Sequence, residues 1–374
     1  MQITANTLEN HWMPFTANRD FKENPRLIQS ASGMYYTNHH GDKVLDGAAG
    51  LFCVTAVHAR PEIVDAVAKQ LATLDYSPPF QFGHPAAFEL AQRLSTMLPD
   101  SIDHVFFCNS GSEAVETALK AARKWAYSVK GVAPDKAEII VCDGNFHGRT
   151  IAITGFSTVD QYRDGFGPYP AGFVQVPFGD AAALERAITP NTAAFLVEPI
   201  QGEGGVNPAD VDFLRGIRRL CDERGILLIM DEIQTGLGRT GEWFGFHHAG
   251  INADIVTVAK ALGNGVPIGA VWATAEVASA FGPGDHGSTF AGQPLAAAAA
   301  REVLRVMEEI DVPLLARERG AELTALLESV PGVAGVRGLG LLLAAELRPE
   351  ALNGRTAAEV ARACLEAGLV VNGV

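Results

Sequence analysis

The sequence predicts an α/β fold with a mostly parallel, doubly wound sheet in a large domain and a smaller α+β domain after it. The first observation is that short apolar segments alternate with helical patterns from about residue 104 to about residue 274. Such alternation is typical of parallel sheets with crossover helices. The second is size, because 374 residues, of which 48% are hydrophobic, suffice for about two domains.

The predicted strands of the large domain are short and rich in β-branched residues. They cover residues 104–108, 138–142, 151–156, 193–198, 226–230, 255–258 and 268–274. Two helices are predicted between them, at 113–128 and 209–224. In the second helix the apolar residues recur at three- and four-residue steps, which predicts one buried face.

The pattern changes beyond about residue 300. A long helix, 294–309, leads away from the sheet and is followed by helices 313–330 and 356–368, a strand-like stretch 333–347 and a short strand 369–372. Near the N-terminus, Tyr35-Tyr36-Thr37 and Lys43-Val44-Leu45-Asp46 predict a hairpin. We expect residues 1–55 to pack with the small domain, 56–305 to form the large domain and 306–374 the small domain.

Composition excludes several classes of function. The net charge of −14 argues against nucleic acid or an anionic membrane as a partner. No apolar run reaches the roughly 18 residues that span a bilayer, and the N-terminus lacks a secretory pattern. Five scattered cysteines without metal spacing predict reduced core thiols in a cytoplasmic protein, and we expect no metal site.

Two charged residues end neighbouring strand-like runs: Asp231 follows 226–230, and Lys260 follows 255–258. Ligands bind at the carboxyl ends of strands in open α/β sheets, so both side chains are expected in one crevice. Buried lysine loses its proton easily and forms Schiff bases, and a carboxylate is the usual partner of the pyridine nitrogen of lysine-bound pyridoxal phosphate. Taken alone, each residue is more often a solvated strand end than a catalytic residue.

A phosphate site is predicted where Asn109-Ser110-Gly111-Ser112 follows a strand and opens a helix. Gly111 permits close backbone approach, Ser112 can cap the helix, and the positive helix end attracts anions. An ordinary strand–helix turn explains this segment as well. Only the combination with Asp231 and Lys260 favours a cofactor site.

Three further turns carry candidate residues. Phe146 can stack on a planar cofactor, and Arg149 can hold a carboxylate through its bidentate fork. Glu203, between glycines, can approach a ligand or pair with an arginine, and Thr289 can contact a phosphate. In isolation each fits a surface loop or a simple turn.

In this order, the motifs NSGSEA, FHGRT, EPIQGEGG, DEIQTGLGRTG, AKALGNGVPIGA and HGSTFAG resemble the class III pyridoxal-phosphate aminotransferases of fold type I. The resemblance covers nearly the whole chain. It implies pyridoxal 5'-phosphate as cofactor, a homodimer and a ping-pong transfer of an amino group through Schiff bases.

The resemblance assigns roles around the cofactor. Lys260 is the Schiff-base lysine and the proton carrier, Asp231 the partner of the pyridine nitrogen and Gln234 the neighbour of the ring hydroxyl. The other cofactor-binding residues that it implies are Ser110, Gly111, Ser112, Phe146 and Thr289, the last of which reaches the partner subunit's cofactor.

For the substrate, the resemblance implies Arg149 as a carboxylate clamp and Glu203 as a residue that pairs with a second arginine. Ser288, Trp12 and Phe15 complete the expected substrate site. Relatives continue past the position of Val374 with a strand that carries an arginine, so the small domain is expected to be truncated.

The resemblance leaves the substrate open. Segments around 11–15 and 74–85 are similar to ω-amino acid:pyruvate aminotransferases, whereas the chain from about Ala114 onward is similar to acetylornithine aminotransferases. We therefore expect an acetylornithine-like donor and 2-oxoglutarate as acceptor. A β-alanine-type donor with pyruvate is the alternative. An aminomutase, a decarboxylating enzyme of the same fold or an inactive chain are further alternatives.

Overall fold

The computed structural model describes residues 8–99 and 101–373. Its central feature is a seven-stranded sheet with the order β4-β12-β11-β10-β7-β5-β6. These strands are β4 (His104–Cys108), β5 (Glu138–Cys142), β6 (Phe173–Val176), β7 (Thr192–Val197), β10 (Leu227–Asp231), β11 (Ile255–Val258) and β12 (Gly269–Ala273). All neighbours are parallel except β12, which runs antiparallel to both β11 and β4. The predicted mostly parallel α/β fold is confirmed.

Helices cover both faces of this sheet, and side chains alternate between two cores. Leu228 and Met230 of β10 belong to one buried cluster, while Leu227 and Ile229 belong to the other. The alternation follows from the pleat of a strand, which points successive side chains to opposite faces. Since both faces are buried, the strands are apolar throughout, as expected for a doubly wound sheet.

The helices have the following bounds: Asn18–Glu23, Pro61–Thr73, Pro85–Ser95, Gly111–Trp125, Ile151–Gly155, Asp160–Arg163, Ala181–Ala187, Val211–Arg224, Ala275–Ala278, Pro294–Glu309, Val312–Glu328, Pro349–Leu352 and Ala357–Glu366. A π-helical turn, Ala126–Lys130, and two 3-10 turns, Gly245–Ala249 and Lys260–Gly263, complete them. Ala49–Phe52 form one turn whose φ angles are all positive, from 48° to 67°.

One predicted strand is wrong. Residues Ile151–Gly155 form a short helix, with Thr154 N–H donating to Thr150 O at 2.9 Å. An apolar run of this length has no period that separates strand from helix. The place beside β5 is taken instead by β6, Phe173–Val176, which the sequence analysis did not predict.

The remaining strands form three smaller sheets. β1 (Ile28–Ser32), β2 (Tyr35–Asn38) and β3 (Lys43–Asp46) form an antiparallel meander, to which β15 (Leu369–Val370) adds in parallel beside β3. β13 (Val333–Leu339) and β14 (Leu342–Leu347) form a hairpin, and β8 (Ile200–Gln201) pairs with β9 (Asn207–Pro208).

The predicted hairpin of β2 and β3 is confirmed, with Tyr35 opposite Leu45. Leu369 of β15 pairs with Leu45, so an N-terminal strand and a C-terminal strand share one sheet. The domain boundaries proposed from the sequence stay a prediction. Within the described ranges, no helix combines the length and the apolar character needed to cross a membrane.

Candidate active site

A cavity of about 380 Å³ opens at the carboxyl ends of the central strands. Asp231 is the last residue of β10 and pairs in register with Thr257 of the parallel strand β11. Lys260 lies two residues beyond Val258, the last residue of β11. The predicted residues that line the cavity are Ser110, Gly111, Ser112, Phe146, Arg149, Asp231, Gln234 and Lys260. The strand-end argument therefore brings the acid, the lysine and the glycine-rich turn together.

Asp231 is buried and held by three donors. Its Oδ2 lies 2.6 Å from His147 Nδ1, and its Oδ1 accepts from Ile233 N at 3.0 Å and Thr257 Oγ1 at 3.2 Å. Burial opposes charge on His147, but the hydrogen bond and charge of Asp231 outweigh it, so the pKa of His147 is raised. The raised pKa of His147 favours an imidazolium that donates to this carboxylate.

His147 was missed by the sequence analysis. It is fully shielded from solvent and lies 84 positions from Asp231 in the chain. The only signal was its place next to Phe146 in the FHGRT motif. The sequence separation of His147 and Asp231 matches no known motif, so no sequence pattern predicted the contact.

Lys260 begins a 3-10 turn with φ of 29°, a strained conformation for a residue with a side chain. Backbone strain of this kind concentrates at functional sites. Burial lowers the pKa of Lys260, and the nearby carboxylates of Glu203, Asp231 and Glu198 offset only part of that effect. A larger fraction of the amine is therefore neutral and able to attack a carbonyl carbon.

The glycine-rich turn has the features of an anion site. Ser110 Oγ accepts from Glu113 N at 3.2 Å and caps the helix Gly111–Trp125. The positive end of this 15-residue helix faces the cavity that Gly111 and Ser112 line. Ser112 Oγ accepts from Arg149 N at 3.1 Å, which ties the turn to the next motif.

Gln234 provides a test of whether a cofactor fits. Its side chain is buried, and neither Oε1 nor Nε2 has a hydrogen-bond partner among the described residues. Buried amides without partners are costly, so these two atoms indicate a ligand that hydrogen-bonds here. Together with the acid, the lysine and the anion site, they match pyridoxal phosphate, which has a ring hydroxyl, a ring nitrogen, an aldehyde and a phosphate.

Two glutamates flank this cavity differently. Glu198 lines it, accepts from Phe146 N at 3.1 Å, and has its pKa raised to about 7 mainly by burial. Glu203 is half-buried and does not line the cavity, although its charge acts on Lys260. Glu198 was not predicted from the sequence, since it reads there as the polar end of a strand.

The remaining predicted residues lie outside the cavity. Trp12 and Phe15 line a separate exposed depression, but the Phe15 ring centroid lies 5.3 Å from the Arg149 guanidinium carbon. Ser288 and Thr289 line a third cavity of about 370 Å³. Ser288 Oγ accepts from Asn109 Nδ2 at 2.8 Å, so this third cavity adjoins the first through Asn109.

The cysteine prediction needs correction. All five thiols are free, and Cys108, Cys142 and Cys221 are buried as expected. Cys53 and Cys364 are only partly buried, and Cys53 lines the cavity. Cys53 follows the left-handed turn Ala49–Phe52, which the sequence pattern did not reveal.

Glu232, next to Asp231, holds the rear of the site. It is buried and accepts from Thr235 Oγ1 at 2.5 Å, Gly245 N at 2.9 Å and Phe246 N at 3.0 Å. Burial nevertheless dominates, and raises its pKa from 4.5 to about 7. The folded chain therefore holds this proton at a pH where the unfolded chain has lost it.

Glu232→Gln is expected to show this linkage. Because the folded pKa is raised, the contribution to stability is full below pH 4.5 and is lost as the pH rises through about 7. The deficit of the variant relative to wild type should shrink by about 2 kcal/mol between pH 5 and pH 7. Urea unfolding at both pH values measures it, with the exposed Glu350→Gln as control. A constant deficit would contradict the assignment.

Comparisons with known proteins agree with this geometry. A family model described as aminotransferase class-III matches residues 16–374. The ornithine aminotransferase of Bordetella pertussis is 47% identical over 327 residues, which cover 87% of this chain and 79% of that one. The acetylornithine aminotransferase of Methanocaldococcus jannaschii is 43% identical over 352 residues, or 93% of this chain and 86% of that one.

Solved structures give the same result. The ornithine aminotransferase of Toxoplasma gondii aligns with a TM-score of 0.91 and 36% identity over 98% of this chain and 86% of that one. Crystals of that enzyme grown with oxidized glutathione show partial occupancy of PLP at the active site. An (S)-enantioselective ω-transaminase of Thermomicrobium roseum aligns with a TM-score of 0.92 and 31% identity, over 99% and 91% of the two chains.

Proposed function

The chain belongs to the class III aminotransferases, and from that premise we propose that it moves the amino group of an acetylornithine-like ω-amino acid to 2-oxoglutarate. That it is an aminotransferase and uses pyridoxal phosphate follows from the family. The observation that carries the proposal on substrates is the presence of Arg149 in the same cavity as Lys260 and Asp231.

Pyridoxal phosphate, when bound, supplies a carbonyl carbon for the amino group and a ring that takes up electrons during proton transfer. We assign Lys260 to moving the proton at the substrate carbon that bears nitrogen, since its amine is buried and partly neutral. Asp231, which lies 2.6 Å from His147 Nδ1, would pair with the protonated ring nitrogen of the bound cofactor. The proton therefore moves over a short path between oriented groups.

Five other residues orient the cofactor in this proposal. Ser110, Gly111 and Ser112 hold the phosphate at the helix N-terminus, and Gln234 offers its free amide to the ring hydroxyl. Phe146, which lines the same cavity as Lys260, would stack on the ring of the bound cofactor.

Arg149 selects substrates with a carboxylate. Within the described part of the chain, its guanidinium takes part in none of the ion pairs, so its fork is free for a bidentate contact. Glu203 acts on Lys260 electrostatically and is proposed to adjust the site when a dicarboxylate binds. Phe15 lies beside Arg149 and belongs to the segment 11–15, which is similar to ω-amino acid:pyruvate aminotransferases. This contact supports the alternative of a β-alanine-type donor with pyruvate.

A homodimer is part of the proposal. Four large aromatic side chains are exposed in the single chain: Phe290 next to Thr289, Phe80, which lines the third cavity with Thr289, and Phe82 and Phe88, which follow Phe80 in the sequence. Exposed apolar patches mark interfaces, and a second copy that covers these side chains would also receive Ser288 and Thr289 at its cofactor. We also propose a cytoplasmic location, which five free thiols support.

The test compares acceptors and the clamp. With N-acetylornithine as donor, kcat/KM for 2-oxoglutarate should exceed that for pyruvate. Arg149→Lys should lower kcat/KM for carboxylate-bearing donors by about tenfold to a hundredfold, because lysine cannot form the planar fork. Pentylamine, a donor without a carboxylate, is the control. A clear preference for pyruvate would defeat the proposed acceptor.

A further inference from the structure

We propose that Tyr162 is a positioning residue that holds the Arg149 guanidinium in the orientation that binds the substrate carboxylate. The inference rests on the proposed function of Arg149 and adds the residue that controls it. Tyr162 lies in the short helix Asp160–Arg163, outside every motif that the sequence analysis selected.

The Arg149 guanidinium lies over the face of the Tyr162 ring. The guanidinium carbon of Arg149 lies 3.7 Å from the centroid of the Tyr162 ring. The same carbon lies 5.2 Å from the Phe146 ring and 5.3 Å from the Phe15 ring. Because the attraction between a cation and an aromatic face weakens with distance, Tyr162 makes the strongest of the three contacts.

Aromatic rings orient an arginine without consuming its charge. A carboxylate partner would neutralise the guanidinium and occupy its fork, whereas a ring contacts only its flat face. Across residues 8–99 and 101–373, Arg149 forms no ion pair, but it is surrounded by three aromatic rings. The edge donors of Arg149 thus stay available for a ligand carboxylate.

Tyr162 also links the clamp to the cofactor side of the cavity. Its ring meets Phe146 edge-on, with centroids 6.1 Å apart and planes at 78°. The backbone of Arg149 is tied to Ser112 through the 3.1 Å hydrogen bond. The Tyr162 ring therefore fixes the position of the guanidinium relative to Phe146. The hydrogen bond of the Arg149 backbone fixes its position relative to the anion site. The substrate carboxylate is placed in register with Lys260.

The test removes the aromatic face and keeps bulk. In Tyr162→Leu holoenzyme, the Kd of pentanoate, a carboxylate without an amine, should rise about fivefold by calorimetry, the factor that matches one cation–π contact. The ratio of kcat/KM for 5-aminopentanoate to that for pentylamine should fall by the same factor. Tyr162→Phe keeps the face and should restore both values. Tyr127→Leu is the control for the loss of a ring. Tyr127 is half-buried and packs against the buried cluster that includes Leu227 and Ile229.

The Arg149 and Tyr162 variants test the proposed function of Arg149 and the proposed role of Tyr162 separately. If Arg149→Lys leaves pentanoate binding unchanged, the proposed role of Arg149 fails, and this inference fails with it. If Arg149→Lys weakens pentanoate binding but Tyr162→Leu does not, only the inference is overturned. An equal loss with 5-aminopentanoate and pentylamine in Tyr162→Leu would assign Tyr162 a merely structural role and would also overturn it. Circular dichroism verifies that each variant is folded.

Discussion

Lys260→Ala is expected to lower kcat by at least about 10⁴-fold. The variant loses both the amine that reacts with a carbonyl carbon and the group that moves the proton, and acid–base catalysis alone contributes about 10²–10⁴-fold. Cofactor binding should survive in part, because the anion site, Gln234 and Asp231 lie on other segments of the chain. Steady-state kinetics and the cofactor content after gel filtration measure the two effects separately.

The matched control is Lys130→Ala. Burial also lowers the pKa of Lys130. Its Nζ donates to Thr192 O at 2.7 Å, and Lys130 does not line the cavity. We expect this variant to lose stability and to keep its turnover per folded molecule. Turnover of Lys260→Ala comparable with the control would remove Lys260 from the mechanism.

Asp231→Asn is expected to lower kcat by about 10²–10³-fold, the range found when one preorganised electrostatic contact is removed from an active site. An amide of the same shape cannot hold the proton of the ring nitrogen as a counter-charge. It also replaces the carboxylate that lies 2.6 Å from His147 Nδ1 by an amide. Steady-state kinetics over a range of pH measures the loss.

Asp254→Asn is the control for this substitution. Asp254 also lies beside the central strands, where it accepts from Leu228 N at 2.7 Å and pairs with Arg218 at 2.8 Å, but it does not line the cavity. Its loss should lower stability and leave kcat within a few-fold of wild type. If Asp231→Asn kept more than a tenth of wild-type turnover, its assignment as the partner of the ring nitrogen would be wrong.

The mostly parallel sheet and the meeting of Asp231 with Lys260 were accessible from sequence for one reason. Apolar runs that alternate with helices force parallel strands, and parallel strands bring their carboxyl ends to one edge. Residues at those ends are therefore neighbours whatever their separation in the chain. The glycine-rich turn before helix Gly111–Trp125 follows the same rule.

The sequence-based predictions were wrong or missing for elements whose hydrophobic pattern does not distinguish strand from helix. The run 151–156 is too short to separate strand from helix; it forms a helix, and β6 pairs with β5. The helices Pro61–Thr73 and Pro85–Ser95 were also not predicted, although both begin with proline in the first turn. Local signals were present there but did not identify which segments pack together.

The fold class, the family and the residues that meet at the strand ends were all predictable from the amino-acid sequence. The tertiary structure alone showed that His147 contacts Asp231, that both amide atoms of Gln234 lack a partner among the described residues, that Cys53 lines the cavity and that Arg149 lies over the Tyr162 ring. The physical reason is that strand-end residues are placed by backbone topology, which hydrophobic periodicity encodes. Contacts between side chains on loops and short helices depend on how those segments pack, and no local period encodes that packing.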